Sequence, residues 1–419
     1  MDSIHNFAPE IQQGISGYLR YLSREGFRRP VVKNVGALLH GMLKKHDVHV
    51  SVLGRSLEEP ISPKKTEERL QRNLRRDGLG ERLIAAHGRK NGATIRRKRY
   101  CIIDLSDIQK RYATQMEGLC RVRDGDQSTH KTLVIGNGYW WLNAVMADET
   151  GVVPVYSEVY SLDYEGHART SENTKILGAV RAVHAIHPEA VHVLDRGGDR
   201  SAILDSMCDG GRQFIIRGQN QRSLRLHRDS AQATNIKELA RRVRLTTCYR
   251  SSRGEVFDVG MRRVYYGDIP LWLVVSKRRR GGLSWYLTNV DGSRAEIMNT
   301  VMEGYGLRWR IEEYHRQIKQ DYGLESIRLR SYTAIRNMGV LVMLAASFCA
   351  RLPDHMVIKM IAMAGRLPRR RLSDMPAYPL YMIVAAVALV LETTVKRRPK
   401  PLRIRKREFC QLTLNFRTF

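Results

Sequence analysis

Four residues in the last third of the chain combine one acid with two bases and an aromatic ring at helical spacing. In YGLRWRIEEYHRQIK (305–319), Tyr305, Arg308, Glu312 and Lys319 stand at offsets 0, 3, 7 and 14. Each offset is close to a whole number of 3.6-residue turns, so a continuous helix would place all four on one face. Such a face is either a ladder of salt bridges or a surface that holds a carboxylate among cations against a ligand.

Two aspartates stand at the ends of apolar, strand-like runs. Asp104 follows CII in YCIIDLSDI (100–108), and Asp195 follows AVHVL (190–194). Asp107 competes with Asp104 for the same role, but the two lie on opposite faces of a strand, and Asp104 is better embedded in the apolar run. Asp195 precedes a Gly-Gly turn, and its local sequence fits a turn residue or a helix N-cap at least as well as a catalytic acid.

On the helix, Glu312 competes with its neighbour Glu313. Successive residues of a helix are rotated by about 100°, so Glu313 lies off the face that carries the tyrosine, the arginine and the lysine. The pattern of that face therefore selects Glu312 as the third acid.

The elements that must position these acids alternate between strands and helices. A strand-like run at 100–108 and two strands joined by a turn within 131–162 precede a helix at 171–188 and the strand that ends before Asp195. Strand, strand, strand, helix and strand in that order form the core of an RNase H-like fold. Such folds hold two Mg²⁺ ions about 4 Å apart on two or three carboxylates, and magnesium needs no tight ligand cluster because it keeps several waters. The sequence therefore predicts an α/β, RNase H-like core that binds magnesium through the three acids.

The charge of the chain favours a polyanionic partner. Lys and Arg number 71 against 42 Asp and Glu, which gives a formal charge of +29. The excess is spread along the chain, in the runs RRKR (96–99), KRRR (277–280), RRR (369–371) and KRRPKPLRIRKR (396–407). A positive field of this size points most simply to DNA or RNA; a ribosome-like or merely basic protein is the alternative.

Several features indicate a cytoplasmic, nucleoid-associated protein with no membrane partner. The six cysteines form no CxxC pair and the 13 histidines form no HxxxH pair, so we expect reduced thiols and no zinc site. The first residues, MDSIHNFAPEIQQGISG, lack the basic and apolar segments of a signal peptide. The apolar runs at 338–350 and 377–391 are shorter than a membrane span of about 20 residues and are expected to form buried helices.

The chain divides into three predicted domains. Residues 1–95 read as a helical DNA-binding domain, in which SPKKTEERLQRNLRR (62–76) begins a basic helix at Ser-Pro. Its exposed bases suit a DNA backbone or groove, although a solvated basic helix is the alternative. Residues 96–335 form the catalytic domain with a β-rich, basic insertion at about 220–290, and residues 336–419 form a helical, basic C-terminal region.

The motif Tyr-x2-Arg-x3-Glu-x6-Lys at 305–319 resembles the YREK signature of bacterial DDE transposases of the insertion-sequence-four group. The string RWRIEEYHRQIK is similar to that group's catalytic helix, and the Asp-Arg pair at 195–196 and the long β-rich insertion at 196–311 are also similar. The resemblance covers about residues 96–335. It departs from the family pattern at DLSD (104–107), where many relatives have a threonine two residues after a single Asp.

The resemblance implies a cut-and-paste transposase in which Asp104, Asp195 and Glu312 form the metal-binding triad. The triad would hold two Mg²⁺ ions, which Mn²⁺ can replace. It implies that Tyr305, Arg308 and Lys319 hold the terminal phosphates and the distorted strand of the transposon end. Trp285 falls near the tryptophan that stacks on a flipped base in these enzymes; a core position is equally open for it, and Trp309 is expected in the core. The implied partners are double-stranded DNA, as transposon ends and as target, and a second copy of the chain when two ends are synapsed.

Two other functions stay open at the level of sequence. An RNase H-like nuclease or resolvase would need the three acids but not the residues that hold a transposon end. A catalytically inactive DNA-binding relative would have no use for three intact acids.

Overall fold

The computed structural model describes residues 7–125, 127–128, 132–164, 170–279, 281–363 and 380–393. Over this part of the chain the protein is a mixed α/β structure with a ten-stranded central sheet and a separate two-stranded sheet. The helices are α1 (Phe7–Arg24), α2 (Arg29–Lys45), α3 (Val50–Ser56), α4 (Pro63–Leu74), α5 (Leu79–Arg96), α6 (Glu172–His184), α7 (Ser201–Asp209), α8 (Ile236–Arg241), α9 (Arg294–Gly306), α10 (Trp309–Asp321), α11 (Tyr332–Ala350), α12 (Asp354–Met363) and α13 (Leu380–Thr393). The strands are β1 (Tyr100–Gln109), β2 (Cys120–Arg123), β3 (Ile135–Asp148), β4 (Gly151–Tyr160), β5 (Val191–Leu194), β6 (Phe214–Arg217), β7 (Ser223–Leu224), β8 (Thr234–Asn235), β9 (Thr247–Arg250), β10 (Val256–Tyr266), β11 (Ile269–Arg278) and β12 (Leu283–Thr288).

The central sheet combines parallel and antiparallel neighbours. Its strands follow the order β2-β3-β1-β5-β6-β12-β11-β10-β9, and β4 also pairs with β3. Strands β1 and β6 run parallel to β5, whereas β1, β3 and β4 form an antiparallel group. The predicted order of strands and helix is confirmed, with the short strand β2 as an addition. The basic insertion contributes β9 to β12, which extend the same sheet through the pairing of β12 with β6.

Two layers of helices cover the two faces of the sheet. Ile103 and Leu194 belong to the core that α6, α7 and α8 share with one face, and Ile102 and Val193 belong to the core under α9, α10 and α11. Because successive side chains of a strand point to opposite faces, β1 supplies both cores. Position 104, two residues after Ile102, is therefore on the face that α10 covers.

The N-terminal helices share one apolar core with α11 and α13. Helix α2 packs against α11 and α13, and both α5 and α11 pack against β4. Helix α11 is long and apolar enough to cross a membrane by length and composition alone, but 78% of that stretch is buried inside the protein. The apolar runs are thus buried helices as far as the structure describes them, while the domain limits 1–95, 96–335 and 336–419 stay a prediction.

Residues 305–319 do not form one continuous helix. Helix α9 ends at Gly306 and α10 begins at Trp309. In the turn between them, Arg308 N donates to Tyr305 O at 3.1 Å, a three-residue spacing that tightens the chain. The expectation of a single striped helix is therefore wrong, because Tyr305 lies on α9 and the other three residues of the motif lie at or after the turn.

Candidate active site

The parallel pairing of β1 with β5 places two aspartates side by side in register. Tyr100–Ile102 pairs with Val191–Val193, so Asp104 and Asp195 each stand two residues beyond the last pair on adjacent strands. Neighbouring strands lie about 4.8 Å apart. Asp195 Oδ1 also accepts a hydrogen bond from Gly197 N at 2.7 Å and caps the short 3-10 turn that follows. Asp195 is thus a turn cap, as its local sequence indicates, and also a neighbour of Asp104.

Arg308 bridges the strand acid and the helix acid. Its Nη1 lies 3.7 Å from Asp104 Oδ2, and its Nη2 lies 2.5 Å from Glu312 Oε1. The Asp104 side chain is 18% exposed, whereas that of Glu312 is 56% exposed. One carboxylate is therefore enclosed by the protein and the other is open to solvent, with a guanidinium between them.

The pKa of Asp104 reflects the crowding of acids. Burial is the largest cause that raises this pKa to about 7, and the charges of Asp195 and, more weakly, Glu312 act in the same direction. Arg308 and the hydrogen bond from Leu105 N oppose the rise. All three acids are close enough to interact, and one arginine does not neutralise them. Excess negative charge of this kind favours the binding of a further cation.

Tyr305 lies beside the acids on the preceding helix and is flanked by cations. The centroid of its ring is 4.6 Å from that of Tyr286, and the Cζ atoms of Arg308 and Arg217 lie 5.8 Å and 6.0 Å from its centroid. Burial raises the pKa of Tyr305, so the hydroxyl stays protonated and can donate. Sequence reasoning missed Arg217; its position at the end of β6, next to the strand that ends before Asp195, is the signal that could have found it.

Lys319 and Asp107 form a second pair, apart from the bridge that Arg308 makes. Lys319 Nζ lies 3.4 Å from Asp107 Oδ1 and 3.2 Å from Glu325 Oε1. Asp107 also accepts a hydrogen bond from Gln109 Nε2 at 2.7 Å. The four residues of the 305–319 motif are therefore divided: Tyr305, Arg308 and Glu312 lie together, and Lys319 pairs further along the sheet.

A buried pair fixes α10 above Asp104. His315 Nε2 lies 3.1 Å from Asn143 Nδ2, and Asn143 is the residue of β3 that stands opposite Asp104 in the register. Burial lowers the pKa of His315 to about 3, so its ring is neutral and can accept the amide hydrogen. Nothing in the local sequence indicates this contact, because it joins residues 172 positions apart.

The two tryptophans of the motif region differ in exposure. Trp285 is 7% exposed and belongs to the core on the α6–α8 side of the sheet, so a base could stack on it only after rearrangement. Trp309 is partly exposed, with Arg253 Cζ 3.5 Å from the centroid of its ring. The expectation that Trp309 is a core residue is therefore wrong.

The acids suit magnesium by chemistry but are not gathered into a coordination shell. In the part of the chain that the structure describes, no group of three His, Cys, Asp or Glu side chains is disposed to hold a metal ion. The guanidinium of Arg308 occupies the space between Asp104 and Glu312. Carboxylate oxygens are the ligands that Mg²⁺ prefers, and the pKa of Asp104 is raised by burial first and by the charge of Asp195 second. The residues therefore fit the ion once Arg308 releases Glu312.

Residues 142–348 match the family model of the transposase DDE domain. The matched segment contains Asp195, Glu312 and the complete 305–319 motif, and begins after Asp104. No curated protein matches the chain. The match supports a DDE transposase, which is a class of DNA-cleaving enzymes that generally use divalent metal ions.

Proposed function

We propose that the chain is a DDE transposase of the insertion-sequence-four group, with an RNase H-like catalytic core and the YREK signature. It binds the terminal inverted repeats of its element, cuts the ends and joins them to target DNA by cut-and-paste transposition. The observation that carries the proposal is the grouping of three acids from separate elements. Asp104 and Asp195 stand in register on adjacent strands, and Arg308 bridges Asp104 and Glu312, within a chain whose segment 142–348 matches the transposase DDE domain.

In this mechanism the three acids hold the metal, and the basic residues hold the DNA. Asp104, Asp195 and Glu312 would hold two Mg²⁺ ions, or Mn²⁺ in their place. The ions would supply the positive charge that favours a deprotonated water or 3′ hydroxyl and a negatively charged leaving oxygen. Arg308 exchanges Glu312 for a phosphate of the bound strand, since a guanidinium binds either anion in a bidentate manner. The hydroxyl of Tyr305 donates a hydrogen bond to a phosphate oxygen.

The basic surface of the chain and a second copy of it would hold the DNA. The formal charge of +29 supports binding to both the transposon ends and the target duplex through phosphate contacts. Lys319 holds the terminal strand, and Trp285 receives the flipped base if binding opens its side of the sheet. Two copies of the chain bring two ends together before cleavage, on DNA of the cytoplasmic nucleoid.

Cleavage of a duplex that carries the gene's own flanking ends tests this function. Wild type and Glu312→Gln are compared in Mg²⁺ and in EDTA, with Glu313→Gln as the matched control. Glu313 is the adjacent carboxylate, and it faces Arg316 at 3.8 Å instead of Arg308. We expect wild type and Glu313→Gln to nick the element boundary only with Mg²⁺, and Glu312→Gln to bind without cutting.

Other outcomes would separate the alternatives. Cutting at many sites without regard to the boundary would indicate an RNase H-like nuclease or resolvase. Binding of the ends without cutting by any of the proteins would indicate an inactive DNA-binding relative.

A further inference from the structure

A groove of about 630 Å³ opens between the N-terminal helices and the end of α11. Its walls are α1, α5 and the junction of α11 with α12. None of the residues described at the candidate active site lines it. Cavities of this size suit small molecules, and the side chains inside the groove decide which kind of molecule fits.

A guanidinium without a carboxylate partner stands in this groove. Arg351 follows the last residue of α11; its Nε donates to Ser347 O at 3.0 Å, and its Nη1 donates to Asn91 Oδ1 at 2.6 Å. Within the described part of the chain, its Nη2 donates no hydrogen bond and no Asp or Glu forms an ion pair with it. The last carbonyl groups of a helix carry about half a negative charge in total, so they offset only part of the charge of this arginine.

Burial acts against the charge of Arg351. It lowers the pKa of this guanidinium, and the two groups that act in the opposite direction are Tyr18 and Cys349. Burial raises the pKa of both of these groups, so the hydroxyl and the thiol are neutral at pH 7. Neither of them supplies a negative charge, and a partly buried cation that lacks one favours the binding of an anion.

A tyrosine hydroxyl beside Arg351 also lacks a partner. Tyr18 lines the same groove and is 9% exposed, and its hydroxyl makes no hydrogen bond to the described residues. A buried hydroxyl that stays unbonded is unfavourable. The charge of Arg351 acts to lower the pKa of Tyr18, so the two groups are close enough to share one ligand. An oxyanion could accept hydrogen bonds from both.

Two glycines in the middle of α1 line the groove, although glycine weakens a helix. Packing explains Gly14, because a Cβ atom there would lie 3.0 Å from Phe348 Cε2. A Cβ atom at Gly17 would meet only Arg20 Nη2, at 4.0 Å. The packing of the protein therefore does not require glycine at position 17, whereas a ligand in the groove would need the space.

The rest of the lining is apolar on one side and nearly neutral in charge on the other. Phe348, Leu352 and Met356 form the apolar side. Lys90 and Glu10, both exposed, add one charge of each sign. A single unbalanced cation beside an apolar wall suits a small molecule with one anionic group. A DNA backbone would instead be followed by several cations.

We propose that the groove between α1, α5 and α11 binds a small organic anion. Its carboxylate or phosphate group binds Arg351 and Tyr18, and its apolar body packs against Phe348. The ligand lies between the N-terminal helices and the end of the segment that matches the transposase DDE domain. This inference goes beyond the proposed transposase function and does not depend on it.

Isothermal titration calorimetry of the full chain tests the site. The probes are phenyl phosphate and benzoate, which differ in the anionic group, and inorganic phosphate, which lacks the apolar body. The test variants are Gly17→Leu, Tyr18→Phe and Arg351→Met. The matched control is Tyr21→Phe, which removes the hydroxyl of the next tyrosine on α1, outside the groove. Physiological salt is used because a chain with a formal charge of +29 attracts any anion weakly.

Wild type and Tyr21→Phe should bind one molecule of phenyl phosphate or benzoate per chain, more tightly than inorganic phosphate. Gly17→Leu should fill the groove and abolish this binding while the protein stays folded, since leucine favours a helix more than glycine does. Tyr18→Phe should weaken the binding at least about tenfold, and Arg351→Met at least about 100-fold, because hydrogen bonds with charged groups are strong.

Several outcomes would overturn the proposal. They are the absence of saturable binding by both aromatic probes, equal affinity in wild type and Gly17→Leu, and an equal loss in Tyr21→Phe. If the hydroxyl of Tyr18 only binds a water molecule in the adjoining cavity of about 20 Å³, Tyr18→Phe will keep the wild-type affinity, which would also contradict the assignment. Displacement of the probe by a short DNA duplex would assign the groove to a backbone phosphate instead of a small molecule.

The titration is independent of the test of function. None of its outcomes requires the protein to cut transposon ends. A chain that cuts its ends but binds no probe would overturn only the anion site, and a chain that binds the probe but does not cut would overturn only the proposed function.

Discussion

The two ends of α10 each place a cation between two carboxylates, but the two groups differ in charge balance. At the N-terminal end, Arg308 lies between Asp104 and Glu312, and a third acid raises the pKa of Asp104 as well. At the C-terminal end, Lys319 lies between Asp107 and Glu325. Both cations are mostly enclosed: the side chain of Arg308 is 21% exposed and that of Lys319 is 14% exposed.

This difference separates a group with excess negative charge from one that is closer to balance. Negative charge exceeds positive charge around Arg308, and Glu312 remains 56% exposed, so the group can accept a cation from solvent. Around Lys319, the carboxylates of Asp107 and Glu325 meet one ammonium and neighbouring protein donors. The same residue types at similar spacing therefore leave different balances of charge at the two ends of α10.

The largest expected effect is the loss of cleavage when an acid at the Arg308 end is neutralised. Asp104→Asn and Asp195→Asn should each lower the rate of nicking at the element boundary at least about 1,000-fold, because residues that act as one catalytic unit are not redundant. Asp107→Asn should change the rate less than about tenfold. Single-turnover cleavage of the end duplex measures all three. A loss in Asp107→Asn equal to that in Asp104→Asn would erase the distinction between the two ends.

The pH dependence of stability should be the next largest effect. With the folded pKa of Asp104 raised to about 7, the native state keeps a proton that the unfolded chain has lost above about pH 4. The contribution of Asp104 to the free energy of unfolding should therefore fall as pH rises from 4 to 7, by at most about 4 kcal/mol.

Urea unfolding of wild type and Asp104→Asn in EDTA, at pH 5 and pH 8, measures this contribution. The asparagine variant should gain stability relative to wild type at pH 8. The same difference in unfolding free energy at both pH values would contradict the raised pKa.

The smallest expected effects come from removing the two cations. Lys319→Met should lower the free energy of unfolding by about 1–3 kcal/mol, since it leaves the enclosed Asp107 without its ion pair.

Arg308→Met should be stabilised by magnesium. Its Tm should rise on addition of Mg²⁺ by more than that of wild type, because the ion replaces the lost charge and stabilises the native state by binding. Thermal unfolding with and without Mg²⁺ measures the effects of both variants. An equal rise of Tm with Mg²⁺ in Arg308→Met and Lys319→Met would contradict the difference between the two ends of α10.

Much of the fold and part of the site could be predicted from sequence. The strand that carries Asp104 and the strand that ends before Asp195 are short apolar runs with clear ends, and their order along the chain predicts the parallel pairing. Ser62 followed by Pro63 begins α4, as the Ser-Pro signal indicates.

Other features could not be predicted because they depend on contacts between distant segments. The break between α9 and α10 falls at Leu307–Arg308; Gly306 ends α9, but neither a proline nor an N-cap side chain marks the start of α10. Trp309 is partly exposed, and Arg253, from the β9–β10 turn, covers one face of its ring. The pairing of Lys319 with Asp107 joins residues 212 positions apart, so local periodicity cannot indicate it.

Iron-mediated cleavage of the protein itself tests the central claim that the three acids form one metal site. Fe²⁺ bound in place of Mg²⁺, with ascorbate and peroxide, produces hydroxyl radicals that cut the backbone near the ion. We predict cuts around residues 104, 195 and 312, suppressed by excess Mg²⁺ and lost in Asp195→Asn. Cuts around residues 107 and 325 instead, or a pattern that Asp195→Asn does not change, would contradict the account.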